Sequence, residues 1–166
     1  AGLKSTFRAT GQTGIMIAGE GIPIDAVVAD FISGAAELLS PDNDPDHWDI
    51  IEGQGSIFHP GYSGVSLGLL HGSQPDGFVV CHDPLRKTVS GWEHYALPSL
   101  QECIDTHVMM GRRTNPGIRC VGITVNTSAL PAGERGAWLR DLARETGLPC
   151  CDPVRDGCGV IVDYIR

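Results

Sequence analysis

The strongest constraint on this chain is the alternation of unbroken apolar runs with helical patterns. Residues 77–82 (Gly-Phe-Val-Val-Cys-His) and 118–125 (Ile-Arg-Cys-Val-Gly-Ile-Thr-Val) are near-continuously apolar. That is the pattern of parallel strands covered on both faces. Residues 3–9 and 48–52 read as two further strands, and 148–151 as a short fifth. Helical patterns lie between them. Residues 26–39 place Val28, Phe31, Ile32, Ala35 and Leu39 on one face and stop at Pro41. Residues 99–113 open with a Ser99–Glu102 capping box and align Leu100, Cys103, Ile104, His107, Val108 and Gly111. Residues 131–146 begin with proline and end at Gly147, with Pro149 beyond. Residues 62–70 form a weaker helix. Strands alternating with helices predict an α/β sheet of mainly parallel strands.

A length of 166 residues suits one domain with a proper core, so 1–166 is expected to be a single α/β domain. Apolar residues make up 42% and charged residues 19%, the balance of a globular chain. The formal charge is −8, and no basic run exceeds Arg112–Arg113. This argues against nucleic acid or an anionic membrane as partner and leaves room for a local phosphate site. No apolar stretch approaches the ~20 residues of a membrane span, and no signal-peptide pattern opens the chain. The six cysteines lack CxxC spacing, so no zinc site is expected. Several lie in apolar runs, as reduced core cysteines do, which points to the cytoplasm. Residues 42–47 read as a solvated turn, and 84–97 as a long connection and candidate lid. The chain begins at Ala1 and enters a strand almost at once, so we expect it to be part of a longer protein.

In open α/β sheets, ligands bind beyond the carboxyl ends of the strands. The five strands are followed by Arg8 and Thr10–Gly14, by Glu52–Ser56, by His82 and Asp83, by Asn126–Ser128, and by Asp152–Arg155. The Thr10-Gly11-Gln12-Thr13-Gly14 turn either presents backbone N–H groups to an anion or simply turns strand into helix. It is not a Walker A loop, because no Gly-Lys-Ser/Thr follows. Glu52 ends a buried strand, so its carboxylate must be paired, metal-linked or catalytic. Gly53 and Gly55 allow close approach of a ligand. His59 is an acid/base group or a turn cap. His107 reads as core, and His71 as a favourable charge at a helix end. Asn126 either reads a base edge or holds its loop.

The segments Arg8-Ala-Thr-Gly-Gln-Thr-Gly-Ile-Met-Ile-Ala-Gly, Asp49-Ile-Ile-Glu-Gly-Gln-Gly-Ser and His59-Pro-Gly-Tyr-Ser-Gly carry a resemblance. With Asp25–Ala35, Val125-Asn-Thr-Ser and Cys151-Asp-Pro-Val-Arg, they resemble a bacterial family catalogued as a domain of unknown function. Its members include D-glutamate N-acetyltransferases of D-glutamate breakdown. The resemblance covers essentially the whole chain. It implies an N-terminal α/β domain followed by a P-loop-like C-terminal domain. That second domain opens with a strand, a Walker A-like loop and a helix that ends about where this sequence begins. The chain therefore looks like the C-terminal domain, incomplete at its N-terminus. The layout also resembles dethiobiotin synthetase, in which an acidic Glu-Gly-x-Gly residue holds Mg²⁺ and an Asn after a later strand contacts adenine. Glu52 and Asn126 match those positions.

The resemblance implies a three-layer, P-loop-like α/β fold and an N-acetyltransferase moving acetyl from acetyl-coenzyme A to D-glutamate or a related D-amino acid. Glu52 is then the base, with His59 second. Arg8, Thr10, Gln12, Thr13, Gln54, Ser56 and Arg155 are candidate substrate contacts. Gly11, Gly14, Gly53, Gly55, Asn126 and Asp152 are candidate contacts to the co-substrate. The rival is an ATP- and Mg²⁺-dependent ligase or ATPase with Glu52 on the metal. A non-catalytic metabolite-binding domain is a third reading. Expected partners are a small-molecule substrate, a second copy of the chain in a homo-oligomer, and the N-terminal remainder of the same protein.

Overall fold

The computed structural model of the chain describes Gly2–Arg166. Two compact units make it up: Gly2–Pro75 with Met109–Pro116, and Asp76–Val108 with Gly117–Arg166.

In the first unit, β1 (Lys4–Arg8) pairs in parallel with β2 (His47–Ile51), Lys4 opposite His47 and Arg8 opposite Ile51. Beyond β1 the chain turns at Gly11 into a short helix, α1 (Gln12–Ala18), one of the two alternatives for the Thr10–Gly14 turn, although no helical period marks its extent. It then runs back alongside Ala9 and Thr10. The Ile22 N–H donates to the Ala9 carbonyl and the Ile24 N–H to the Thr10 carbonyl, both at 3.0 Å.

The helix expected over 26–39 is not continuous. Two 3₁₀ turns, Ile24–Ala26 and Ala29–Phe31, precede α2 (Ile32–Glu37). The β-branched pair Val27 and Val28 is extended, with ψ of 138° and 135°, and breaks the helix there. The buried stripe is therefore Ile32, Ala36 and Leu39, while Val28 and Phe31 are exposed. Ile32, Ala36 and Leu39 pack with Ile24 and Leu69 into the core of this unit.

Leu69 comes from α3 (Ser63–Ser73), which begins and ends later than the weak pattern over 62–70. α2 and α3 touch through small residues. The Ser33 hydroxyl donates to the Gly68 carbonyl at 3.2 Å, and a Cβ at Gly72 would lie 2.1 Å from the Ser33 carbonyl oxygen. His71 bonds through Nε2 to the Met110 carbonyl at 3.1 Å, a specific partner beyond the expected dipole effect. The turn over 42–47 carries exposed charge, with Lys4 paired to Asp46 at 2.8 Å.

In the second unit, β3 (Gly77–His82), β6 (Arg119–Val125) and β7 (Cys150–Cys151) form a parallel sheet in the order β3-β6-β7. β6 is central, and its apolar run is buried on both faces. Cys120, Ile123 and Val125 pack with Val80, Leu139 and Leu142, while Val121 packs with Cys151 and Ile161. β3 has the same near-continuous apolar pattern but, among the described residues, pairs on one side, with β6, and Val79 is 39% exposed.

Leu139 and Leu142 lie on α5 (Arg135–Thr146), which starts one turn later than Pro131 suggested. Ile161 lies on α6 (Gly159–Ile165), a second helix without a clear sequence signal. α4 (Leu100–Gly111) appears as expected, and the Ser99 hydroxyl accepts the Glu102 N–H at 3.1 Å. His107 sits in the core side of α4. It stacks on Phe78 at 5.3 Å and donates from Nδ1 to the Cys103 carbonyl at 2.8 Å. The connection over 84–97 folds into a hairpin, β4 (Thr88–Val89) with β5 (Trp92–Ala96).

All six cysteines are free thiols. Burial pushes Cys103 up to about 11 and Cys151 up to about 12, so both are inert thiols at neutral pH.

The ends of β6 and β7 are tied by one carboxylate. Asp152, buried, accepts the Thr127 hydroxyl, the Thr127 N–H at 3.2 Å, the Val154 N–H at 3.1 Å and the Arg155 N–H at 3.2 Å. The Thr127 hydroxyl, followed by the backbone donors, holds the Asp152 carboxyl below its usual value of 3.8 against the opposing effect of burial. A depressed carboxyl contributes stability that is present above the unfolded value and is lost as pH falls through the folded one.

Two outcomes are expected. Thr127→Val, which leaves a buried carboxylate short of a donor, lowers stability by about 1–3 kcal/mol at pH 7. Melting curves show that deficit shrinking as pH falls below about 4. Gly72→Ala forces α2 and α3 apart and lowers stability by about 1–3 kcal/mol, read as a lower Tm with the helical circular dichroism retained.

Candidate functional site

The strand-end turns of the first unit converge on Thr10. Thr10 is fully buried, and each of its polar atoms is bonded. Its N–H donates to Glu52 Oε2 at 2.9 Å and its hydroxyl donates to the Glu52 carbonyl at 2.9 Å. The same hydroxyl accepts the Gln54 Nε2 at 2.8 Å, and its carbonyl accepts the Ile24 N–H. The Gly11 N–H adds a second bond to Glu52 Oε2 at 3.0 Å. The glycine turn does present N–H groups to an anion, and the anion is this chain's own glutamate. A carboxylate at the end of a strand has thus found its donors in the backbone.

This clasp fixes the need for a glycine on α1. A Cβ at Gly14 would lie 2.1 Å from Glu52 Oε2 and 2.9 Å from Oε1. Gly11 is also close, with a Cβ there 3.0 Å from Gln54 Nε2. Both backbone bonds fall on Oε2. Among the described residues, no hydrogen bond falls on Glu52 Oε1.

Beyond Glu52 the loop continues through Gly53, Gln54, Gly55 and Ser56. The Ser56 hydroxyl accepts the Phe58 N–H at 3.1 Å and shapes the turn. Gly55 lies against Tyr62, where a Cβ would approach the Tyr62 Cβ to 3.0 Å. The Tyr62 ring stacks on His59 at 4.3 Å, and His59 Nδ1 accepts the Gly61 N–H at 3.0 Å. His59 therefore caps its turn through one ring nitrogen and stacks through its face. Thr13 is exposed on the first turn of α1, and Gln12 reaches Asp25 from there.

Arg8 and Arg155 do not stand open as substrate-carboxylate clamps. Arg8 Nε donates to Asp49 at 2.6 Å, and Arg155 holds both oxygens of Asp156 at 2.8 and 2.6 Å. A sequence reading sees the cations but not the neighbouring carboxylates that occupy them. Asn126, Asp152 and Arg155 belong to the second unit. Asn126 is exposed and holds its loop, with Oδ1 accepting the Ser128 N–H at 3.1 Å. Asp152 has four donors of its own, as described above. Arg135, unremarked in the sequence, braces the same loop by donating to the Ser128 and Leu130 carbonyls at 2.9 Å. His82, beside Trp138, is held below its ordinary value by burial, against the opposing charge of Asp83.

Sequence reasoning also missed Asp25 and Tyr62, which line a cleft with Gln54, Gly55 and Val65. Asp25 precedes the helical pattern over 26–39, and Tyr62 opens the weaker one over 62–70. No local pattern brings the two together.

Comparison with known proteins places these residues in context. A protein named D-glutamate N-acetyltransferase from Tritonibacter scottomollicae is 52% identical over 164 residues, 99% of this chain and 49% of that protein. Another of the same name from a Pseudoalteromonas species is 53% identical over 156 residues, 94% of this chain and 47% of that protein. The chain thus spans about half the length of the curated relatives it matches. The crystal structure of a DUF1611 family protein from Anabaena variabilis superposes with a TM-score of 0.91 at 36% identity, covering 99% of this chain and 48% of that one. The expected class, mostly parallel α/β sheets flanked by helices in the three-layer P-loop manner, holds. The DUF1611 P-loop domain, a domain of unknown function, matches residues 1–162, and the chain belongs to that family.

Proposed function

We propose that the protein containing this chain is an N-acetyltransferase that moves acetyl from acetyl-coenzyme A to the amino group of D-glutamate. The observation that carries this reading is the identity of 52–53% to two proteins named for that activity, across 94–99% of the chain. The reaction needs an amine freed of its proton, a polarised thioester carbonyl and a fixed approach between them.

Glu52 supplies the base. Its Oε2 is pinned by the Thr10 and Gly11 N–H groups, which orients Oε1 without consuming it. Oε1 accepts one ammonium proton and the amine nitrogen attacks the thioester carbonyl; as the C–S bond breaks, the second nitrogen proton passes to the departing coenzyme A sulfur, leaving the amide and free thiol, and Glu52 returns its proton to solvent. Backbone N–H groups of Gly53–Gly55 are the candidates to polarise the carbonyl, since the Gly11 N–H is already engaged. His59, with one ring nitrogen on Gly61, is the second candidate for proton transfer.

A second reading rests on the P-loop description of the matched family. Mg²⁺ is commonly held by one or two carboxylates with phosphate oxygens completing the shell. Glu52 fits that use through Oε1, and the ion would neutralise phosphate charge there.

The deciding experiment incubates the full-length protein with acetyl-coenzyme A and a panel of D-amino acids, reading free thiol. The acetyltransferase reading expects thiol release with D-glutamate, insensitive to EDTA. Release of ADP from ATP, abolished by EDTA, selects the second reading instead. Glu52→Gln is expected to cut turnover by about 10²–10⁴-fold with the fold intact, since an amide can still accept one backbone N–H. Gly14→Ala is expected to displace the Glu52 carboxylate sterically and to lower turnover by about tenfold or more, while Gly53→Ala, where a Cβ meets nothing within 4 Å, has a far smaller effect.

A further inference from the structure

A cleft of about 210 Å³ lies in the first unit, lined by Asp25, Gln54, Gly55, Tyr62 and Val65. It exceeds by far the ~10–15 Å³ that a single water needs. Its polar character follows from the hydrogen bonds beside it. The Thr10 hydroxyl has one hydrogen, and it points to the Glu52 carbonyl at 2.9 Å. Toward Gln54, 2.8 Å away, that hydroxyl can therefore only accept. The Gln54 amide is fixed with Nε2 on Thr10 and Oε1 remaining as an acceptor.

Asp25 adds a carboxylate that is exposed and, among the described residues, is tethered by long bonds to Gln12 Nε2, 3.3 and 3.4 Å. Its position is set by its neighbour Ile24, fully buried and bonded to the Thr10 carbonyl. Tyr62 contributes an aromatic ring, one face of which stacks on His59 at 4.3 Å. Among the described residues, no lysine, arginine or histidine lines the cleft. A carboxylate, an amide oxygen and a ring face all favour a cationic hydrogen-bond donor.

We propose that this cleft binds the ammonium group of an amine substrate, with Asp25 as its charge partner and Gln54 Oε1 as its second acceptor. The inference rests on the acetyltransferase reading for the identity of that amine, D-glutamate. It adds that the amine end, not the carboxylates, is recognised here. Asp25 and Glu52 are anchored to the same residue, Asp25 through Ile24 on the Thr10 carbonyl and Glu52 on the Thr10 N–H. Asp25 holds the ammonium, and Glu52 removes its proton.

The test uses the full-length protein and calorimetric titration with D-glutamate, with glutarate, which lacks the amine, and with n-butylammonium, which lacks the carboxylates. Wild type is expected to prefer D-glutamate to glutarate by at least tenfold and to bind n-butylammonium weakly. Asp25→Asn is expected to raise the D-glutamate Kd and KM by about ten- to a hundredfold, with a smaller change in kcat. Asp25→Glu is expected to restore part of the affinity, and neither variant to alter the melting temperature, since Asp25 is exposed.

Asp25-dependent binding of either amine without thiol release from acetyl-coenzyme A sinks the acetyltransferase reading and leaves the ammonium site standing. Thiol release with Kd and KM within twofold of wild type in Asp25→Asn overturns the site and leaves the reading. Glutarate bound as tightly as D-glutamate, or no amine bound by the wild type, also overturns the site.

Discussion

Four hydrogen bonds at one buried threonine organise the first unit. Thr10 holds the carboxylate of Glu52 with its N–H, the backbone of Glu52 with its hydroxyl, Gln54 at the same oxygen, and Ile24 with its carbonyl. In an apolar setting, each such group would cost about 1–3 kcal/mol if left unmade. The arrangement is therefore close to all-or-none. The end of β1, the loop after β2 and the returning segment at Ile24 adopt one relation to each other or lose several bonds together. Ile24 makes the link to packing, because the bond to Thr10 delivers its side chain into the core with Ile32, Ala36, Leu39 and Leu69. The core of this unit and the geometry of its polar loops are thus settled by the same residue.

The second unit repeats the device with the roles reversed. There a threonine, Thr127, lies at one strand end and an aspartate, Asp152, at the next, and the carboxylate gathers the donors. Asp152 is saturated by four donors and buried. Glu52 carries two backbone bonds, both on one oxygen. The difference separates a carboxylate saturated by donors from one that, among the described residues, has an oxygen without a hydrogen bond. A count of acidic residues at strand ends cannot make that distinction. It depends on how many N–H groups the following turn aims at each oxygen.

What the sequence revealed follows from the range of the forces involved. β3 and β6 were legible because a strand buried among others must be apolar along its length, and α4 because its cap and stripe are local. The apolar spacing over 26–39 is that of a helix, yet Val27 and Val28 are held extended, alongside a long-range bond from Ile24 to Thr10. α1 and α6 are each seven residues long, too short to establish a period. At the site, Glu52 and the glycine turn could be named from strand ends and residue chemistry. That the two bind each other could not, because 42 residues separate Thr10 from Glu52. The occupied states of Arg8 and Arg155 were hidden differently. Asp156 adjoins Arg155 in the chain, but adjacency alone does not say that the guanidinium folds back on it.

The division of labour on Glu52 has a physical consequence. A carboxylate free at both oxygens rotates and is solvated on both, so using it as a base requires reorganisation in the reacting complex. Pinning Oε2 with two backbone N–H groups removes that freedom in advance, which is the economy that preorganised sites achieve. On the acetyltransferase reading, that orientation favours loss of the proton from an ammonium already held in position, and an exposed acid on the same anchor, Asp25, is the group proposed to hold it. Gly14 is where this orientation meets the sequence. Only a residue without a Cβ lets the helix that follows the turn come close enough for the turn's N–H groups to reach the carboxylate.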